Sequence, residues 1–180
     1  MSKTNEQFDA VTAKCRSIFS KKLHDYGAAW RILRIPSVTD QLFIKANRIR
    51  NIEIKGESKI QDNIADEFMG IINYAIVGLI QLQRGSSEKV DITPEEALAL
   101  YDEKMEMARQ LMLNKNFDYE EAWRGMRISS YTDLILMKIN RVKQIEDLGG
   151  QTIASEGIDS NYLDMLNYAA FGLIRLGYDK

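Results

Sequence analysis

Four kinds of side chain sit at spacings that could do chemistry, and each kind occurs twice. The first is a run of acids. Asp62, Asp66 and Gly70 lie 11, 7 and 3 residues before Asn73, and Glu156, Ser160 and Asp164 lie at the same distances before Asn167. Offsets of 4, 4 and 3 place these positions on one helical face. Carboxylates on such a face can hold a divalent cation, or can form a solvated helix start that suits the macrodipole. The second kind is an amide beside a phenol, Asn73-Tyr74 and Asn167-Tyr168, in the most apolar part of each half. A buried Asn needs hydrogen-bond partners, so it either fixes helix register or binds a ligand.

The third kind is basic. Lys45, Asn47 and Arg48 recur as Lys138, Asn140 and Arg141. Lys and Arg three apart share a helical face and offer a point charge and a fork to a phosphate or carboxylate. They could equally pair with the acidic stripe as a structural ionic layer. The fourth is a string, DYGAAWR at 25–31 and DYEEAWR at 118–124. Trp30 with Arg31, and Trp123 with Arg124, could stack on a base and clamp a phosphate. The alternative is an aromatic plug closing one end of a bundle, with Arg31 and Arg34 paired to Asp25 and Asp40. The dominance of large aromatics in core energetics favours the plug. His24 and Cys15 have Phe117 and Ala108 as counterparts, so neither suits a chemistry common to both copies. Glu67 lies next to Asp66 and is expected to point elsewhere on the helix.

The elements that position these residues are themselves duplicated. Residues 8–53 recur at 101–146 with eighteen of forty-six positions identical, against roughly 6% expected for unrelated stretches. With one more residue of offset, Asn73, Tyr74, Ala75, Gly78, Leu79 and Ile80 recur as Asn167, Tyr168, Ala169, Gly172, Leu173 and Ile174. Such a period points to tandem structural units. Apolar residues recur at helical spacing through 8–19, 42–52 and 64–82, and again through 105–113, 134–145 and 158–176. Thr93-Pro94-Glu95-Glu96 reads as a helix start. Ser37 and Ser130 head cap-like segments, and Gly56 and Gly149-Gly150 read as stops. The polar stretch 84–88 reads as a linker. The expected fold is all-α. Two tandem three- to four-helix repeats, 1–91 and 92–180, pack as one compact pseudo-twofold bundle.

Composition narrows the function. The 180 residues are 45% hydrophobic and 28% charged, with net charge −2 and pI near 5.6. The absence of a basic excess argues against nucleic acid as a partner. A single cysteine and the lack of an apolar leader point to the cytoplasm. The apolar run near 68–82 is interrupted by Asn73 and falls short of a membrane span. No Gly-rich phosphate loop, nucleophile elbow, zinc spacing or dinucleotide fingerprint occurs.

Tyr-Gly…Trp, then Lys-x-x-Arg on one helix, then acid-x3-acid-x3-acid-x2-Asn-Tyr-Ala on the next, resembles the nucleotide modification associated domain 1 family. The chain looks like its duplicated form found in Bacteroidetes, and that family is similar to the MazG-like all-α NTP pyrophosphatases. The resemblance covers nearly the whole chain. It implies Mg2+ held by Asp62, Asp66, Glu156 and Asp164. It implies a nucleotide met by Lys45, Asn47, Arg48, Asn73, Tyr74 and their copies, with Trp30, Arg31, Trp123 and Arg124 nearby, and release of pyrophosphate. Gly70 and Ser160 each remove an acid from the stripe. The second helix lacks the paired glutamates that the MazG-like enzymes use as their other metal ligands, and only Glu53 and Glu146, near its C-terminal end, are available. Two readings therefore follow: a Mg2+-dependent nucleoside triphosphate pyrophosphohydrolase, or a non-catalytic nucleotide- or protein-binding module with a structural ionic layer. Assembly into a homo-oligomer is compatible with either.

Overall fold

In the computed structural model, which describes residues 3–57, 63–152 and 156–180, the chain forms six long helices and, among the described residues, no strand. They are α1 (Lys3–Tyr26), α2 (Ile35–Lys55), α3 (Ile64–Arg84), α4 (Pro94–Tyr119), α5 (Ile128–Asp147) and α6 (Ile158–Arg175). A short 3-10 turn, Ala29–Ile32 and Ala122–Gly125, follows α1 and α4. Both turns fall on the repeated Ala-Trp-Arg.

Helix ends follow local chemistry. The Thr93 hydroxyl accepts the Glu96 amide at 3.1 Å, and Gly56 closes α2 at φ 72°, a conformation that costs glycine nothing. The starts of α2 and α5 differ from expectation. Both begin ahead of Ser37 and Ser130, with Arg34 and Arg127 as the extended flanking residues and no side-chain cap. In α2, Pro36 sits in the first turn, where its fixed φ suits the helix and its missing N–H costs nothing.

The helices pack in three layers of two. The α3–α6 pair forms the centre, α2 and α5 cover one side, and α1 and α4 the other. Each layer takes one helix from each repeat. That arrangement explains why α3 and α6 are apolar on most faces, since both are covered from two sides. By length and composition α3 would suit a membrane span, but 72% of that window is buried inside the bundle.

Contacts across the layers come in reciprocal pairs. Arg16 bonds Asp102 at 2.7 Å, and its counterpart Arg109 bonds Asp9 at 2.8 Å. The Thr39 hydroxyl donates to Glu146 at 2.7 Å, and the Thr132 hydroxyl donates to Glu53 at 2.6 Å. Glu53 and Glu146 therefore tie α2 to α5. At the centre, Gly78 lies against the Tyr162 ring and Gly172 against the Phe68 ring, and Phe68 is itself the counterpart of Tyr162. Each of these contacts has a mate with the two halves exchanged, which is the signature of an isologous interface within one chain.

Candidate functional site

Each repeat builds the same pocket. In the first half it lies between the C-terminal part of α1, the 3-10 turn and the middle of α3. It has a volume of about 300 Å³ and is lined by Phe19, Lys22, Tyr26, Trp30, Asn73 and Tyr74 among others. In the second half the pocket measures about 320 Å³ and is lined by Met112, Lys115, Tyr119, Trp123, Asn167 and Tyr168, together with Asp164. Most lining positions correspond across the repeat, while Gly27 and Ile32 line only the first pocket and Asp164 only the second. The one charged difference is Asp164, whose counterpart is Gly70.

The Asn of each Asn-Tyr pair is held by its own repeat. Asn73 Nδ2 donates to the Cys15 carbonyl at 3.1 Å, and Asn167 Nδ2 donates to the Ala108 carbonyl at 3.2 Å. The other end of the amide differs. Asn73 Oδ1 accepts from the Tyr101 hydroxyl at 2.8 Å. Tyr101 has Phe8 as its counterpart, and Asn167 Oδ1 is buried with no partner. Both Trp indole N–H groups are likewise buried without an acceptor. Trp123 stacks on Phe171 with centroids 4.2 Å apart and planes 5° from parallel. Trp30 tilts against Phe19 at 6.0 Å. The tryptophans therefore both wall the pockets and close the bundle.

The two arginines of the repeated string point away from the pockets into structural roles. Arg31 is 3% exposed and is not paired to Asp25 as expected. Its guanidinium donates to Asp91 at 2.8 Å, to the Gly85 carbonyl at 2.6 Å and to Gln81. It thereby anchors the segment between the repeats. Its counterpart Arg124 lies over the Trp123 ring at 4.4 Å and bonds Thr4, Gln7 and Glu121. The carbonyls of the two turns are bound by side chains at matching positions. Gln81 donates to Arg31 and Leu33, and Arg175 donates to Arg124 and Met126.

The ionic residues meet where α2 and α5 cross the centre, but not in the predicted register. In the second half Asp164 is 4% exposed, and its two oxygens take Lys138 at 2.9 Å and Lys115 at 2.7 Å. Burial pulls the Lys115 ammonium down, and the Asp164 hydrogen bond and charge, with Glu156, more than offset this and leave it above its ordinary value. In the first half the acid is Glu67, one turn earlier on the helix. It takes Arg48 at 2.7 Å and Lys45 at 3.7 Å. Contrary to expectation, then, Glu67 faces α2, and Asp66 is the acid turned to solvent. The Asp66 carboxylate accepts the Asn63 amide at 3.0 Å while Asn63 accepts the Asp66 amide at 3.0 Å, so Asp66 is a capping-box residue. Periodicity fails here because both acids lie in the first turn of α3, and which of them turns inward depends on the depth at which α2 crosses.

The remaining expected residues scatter. Glu156 is exposed, Asn140 and Arg141 are exposed, and Asn47 is half-buried. Asp62 lies outside the described residues. Among the described residues no three His, Cys, Asp or Glu side chains gather to hold a metal. Asp164 is already paired with two ammonium groups, and one oxygen of the exposed Asp66 carboxylate accepts the Asn63 amide. Among the described residues, then, Asp66, Glu156 and Asp164 do not gather into the shared set of free carboxylate oxygens that Mg2+ takes. A cysteine nucleophile is also absent, since burial pushes the Cys15 thiol up to about 12.

Lys22 is not among the expected site residues, although it recurs as Lys115. The signal was present in the repeat: Lys115 and Lys138 converge on one carboxylate, so Lys22 and Lys45 belong to one site. A model of the nucleotide modification associated domain 1 matches residues 22–82 and again 115–176. No curated protein and no solved structure matched the chain. The two matched regions open on the equivalent lysines, span both pockets and cover well over half the chain, and the chain therefore belongs to the nucleotide modification associated domain 1 family, whose domain it carries twice.

Proposed function

We propose that this protein is a nucleotide-binding module of nucleotide processing. Its pocket takes the base and sugar against an aromatic wall, with the phosphates meeting lysine ammonium groups. The observation that carries this reading is the duplicated pocket of about 300 Å³ that combines Trp30, Tyr26 and Phe19 with Lys22 at its edge. Such a pocket is apolar with a few placed polar groups, as small-molecule sites are. Lys45 lies next to it, over the Tyr74 ring at 5.6 Å. Asn73 and Tyr74 contribute an amide and a phenol to the same wall. Membership of the family supports a nucleotide rather than another anion.

The geometry favours binding over Mg2+-dependent hydrolysis, because Asp66 caps a helix and Asp164 is salt-bridged to two lysines. Two measurements decide. Equilibrium dialysis against each standard (d)NTP is expected to show binding that survives chelator and weakens about tenfold in Lys22→Ala, the loss of one charge-assisted contact. Ion-exchange analysis of the same mixtures with Mg2+ or Mn2+ is expected to show intact triphosphate. Chelator-sensitive release of pyrophosphate, abolished in Asp66→Ala, would replace this reading with the hydrolase.

A further inference from the structure

The two halves place matching sets of charged residues differently around their pockets. Each half has two lysines, one arginine and one acid where its first, second and third helices meet: Lys22, Lys45, Arg48 and Glu67 in the first, Lys115, Lys138, Arg141 and Asp164 in the second. In the second half the acid lines the pocket and binds both lysines. In the first half the acid sits one turn away, outside the pocket lining, against Arg48 and Lys45. Lys22 is exposed there and forms no ion pair among the described residues. The position that Asp164 fills in the second half belongs to Gly70, which has no side chain, and the Lys45 stem lies across it. A Cβ at Gly70 would stand 2.6 Å from Lys45 Cδ and Cε. Those atoms are the far part of a flexible side chain and can give way.

We infer that the chain has one working anion site, in the first half, and that Asp164 is a built-in occupant of the second. The Asp164 carboxylate marks the point on which two ammonium groups converge in this fold. At the equivalent point of the first half, an oxyanion of the ligand takes the place of the missing carboxylate, between Lys22 and Lys45. Lys45 swings from Glu67 toward it, and Glu67 keeps Arg48 at 2.7 Å, so no buried acid is stranded. The fused pseudo-dimer is thus asymmetric in function: one half binds, and the other is locked by its own salt bridge and serves as scaffold. This rests on the nucleotide-binding reading for the identity of the ligand, and adds to it the stoichiometry and the residues that set it.

The test exchanges the acids between the halves and counts sites for inorganic pyrophosphate by equilibrium dialysis, with thermal melts to establish that each variant folds. Wild type is expected to bind one pyrophosphate. Glu67→Asn with Gly70→Asp gives the first half the pattern of the second and is expected to bind none. Asn161→Glu with Asp164→Gly does the reverse and is expected to bind two. Each exchange conserves the charge of its half, so the lysines keep an acid nearby. Lys22→Ala, at an exposed position, supplies a variant with no folding risk and is expected to weaken the wild-type site about tenfold. One site that persists in the Glu67→Asn, Gly70→Asp protein, or two sites in wild type, would overturn the asymmetry while leaving nucleotide binding intact. No site in wild type or in either exchange would overturn the asymmetry and the nucleotide-binding reading together.

Discussion

The charged residues show how a one-turn difference redirects a duplicated site. Glu67 and Asp164 are not counterparts, yet each supplies the acid that meets the lysine of the covering helix. Because Glu67 retains Arg48, Lys45→Ala is expected to cost about 1 kcal/mol or less in denaturant unfolding. Asp164→Ala strands the 8%-exposed Lys138 and is expected to cost about 3 kcal/mol. The Asn pair offers a second comparison. Tyr101→Phe removes the partner of the half-buried Asn73 Oδ1, with an expected loss of about 1 kcal/mol. Phe8→Tyr places a hydroxyl at the matching position beside the orphaned Asn167 Oδ1, with an expected gain of up to about 1 kcal/mol. Equal losses in both variants, measured by chemical denaturation, would mean that the two sites are not related as the reciprocal contacts indicate.

At the scale of elements, the crossing of α3 and α6 depends on two glycines that admit an aromatic ring from the other helix. A methyl at Gly78 would stand 2.5 Å from Tyr162, and one at Gly172 would stand 2.9 Å from Phe68. These rings are fully buried and cannot retreat toward solvent. Gly78→Ala is therefore expected to cost about 2 kcal/mol through overpacking, although alanine is the better helix former by about 1 kcal/mol. The cost should shrink in a Tyr162→Ala background, which a double-mutant cycle measures. The 3-10 turns are shaped by the same logic. Their carbonyls are left over at a helix break, and Gln81 and Arg175 reach back from the ends of α3 and α6 to bind them.

For the molecule as a whole, acid lability should concentrate at the joints between and around the repeats. The Arg31 hydrogen bond holds the Asp91 carboxyl below its ordinary 3.8. The Thr4 hydrogen bond and Arg124 hold Glu121 below 4.5. A carboxyl depressed in the folded state contributes stability above its unfolded value and loses it as pH falls through the folded one. Stability is thus expected to drop as pH falls below about 4, and Asp91→Asn should flatten that drop in melts taken across the range. Glu146 has the opposite sign. Burial raises it against the help of Thr39, so on acidification it protonates first in the folded state and offsets part of the loss.

Much of this was legible in the chain itself. Helical periodicity, written twice, fixes six helices and an isologous pairing of two units, because burying one apolar face per helix leaves few other packings. The capped start at Thr93 and the stop at Gly56 were legible too, since those signals act within one turn. The site was legible only in part. The repeat places Lys45, Lys138, Asp164, both asparagines and both tryptophans in the right neighbourhood. Nothing local distinguishes Asp66, which caps α3, from Glu67 beside it, which binds α2. Nothing local assigns Arg31 to Asp91, sixty residues away, rather than to Asp25. Sequence spacing sets which residues share a helical face, but the depth and angle at which a second helix crosses decides which of them meets a partner. That crossing is a property of the packed bundle: the sequence writes Gly70 against Asp164, and only the packing shows that this position is the one on which two lysines of the second half converge.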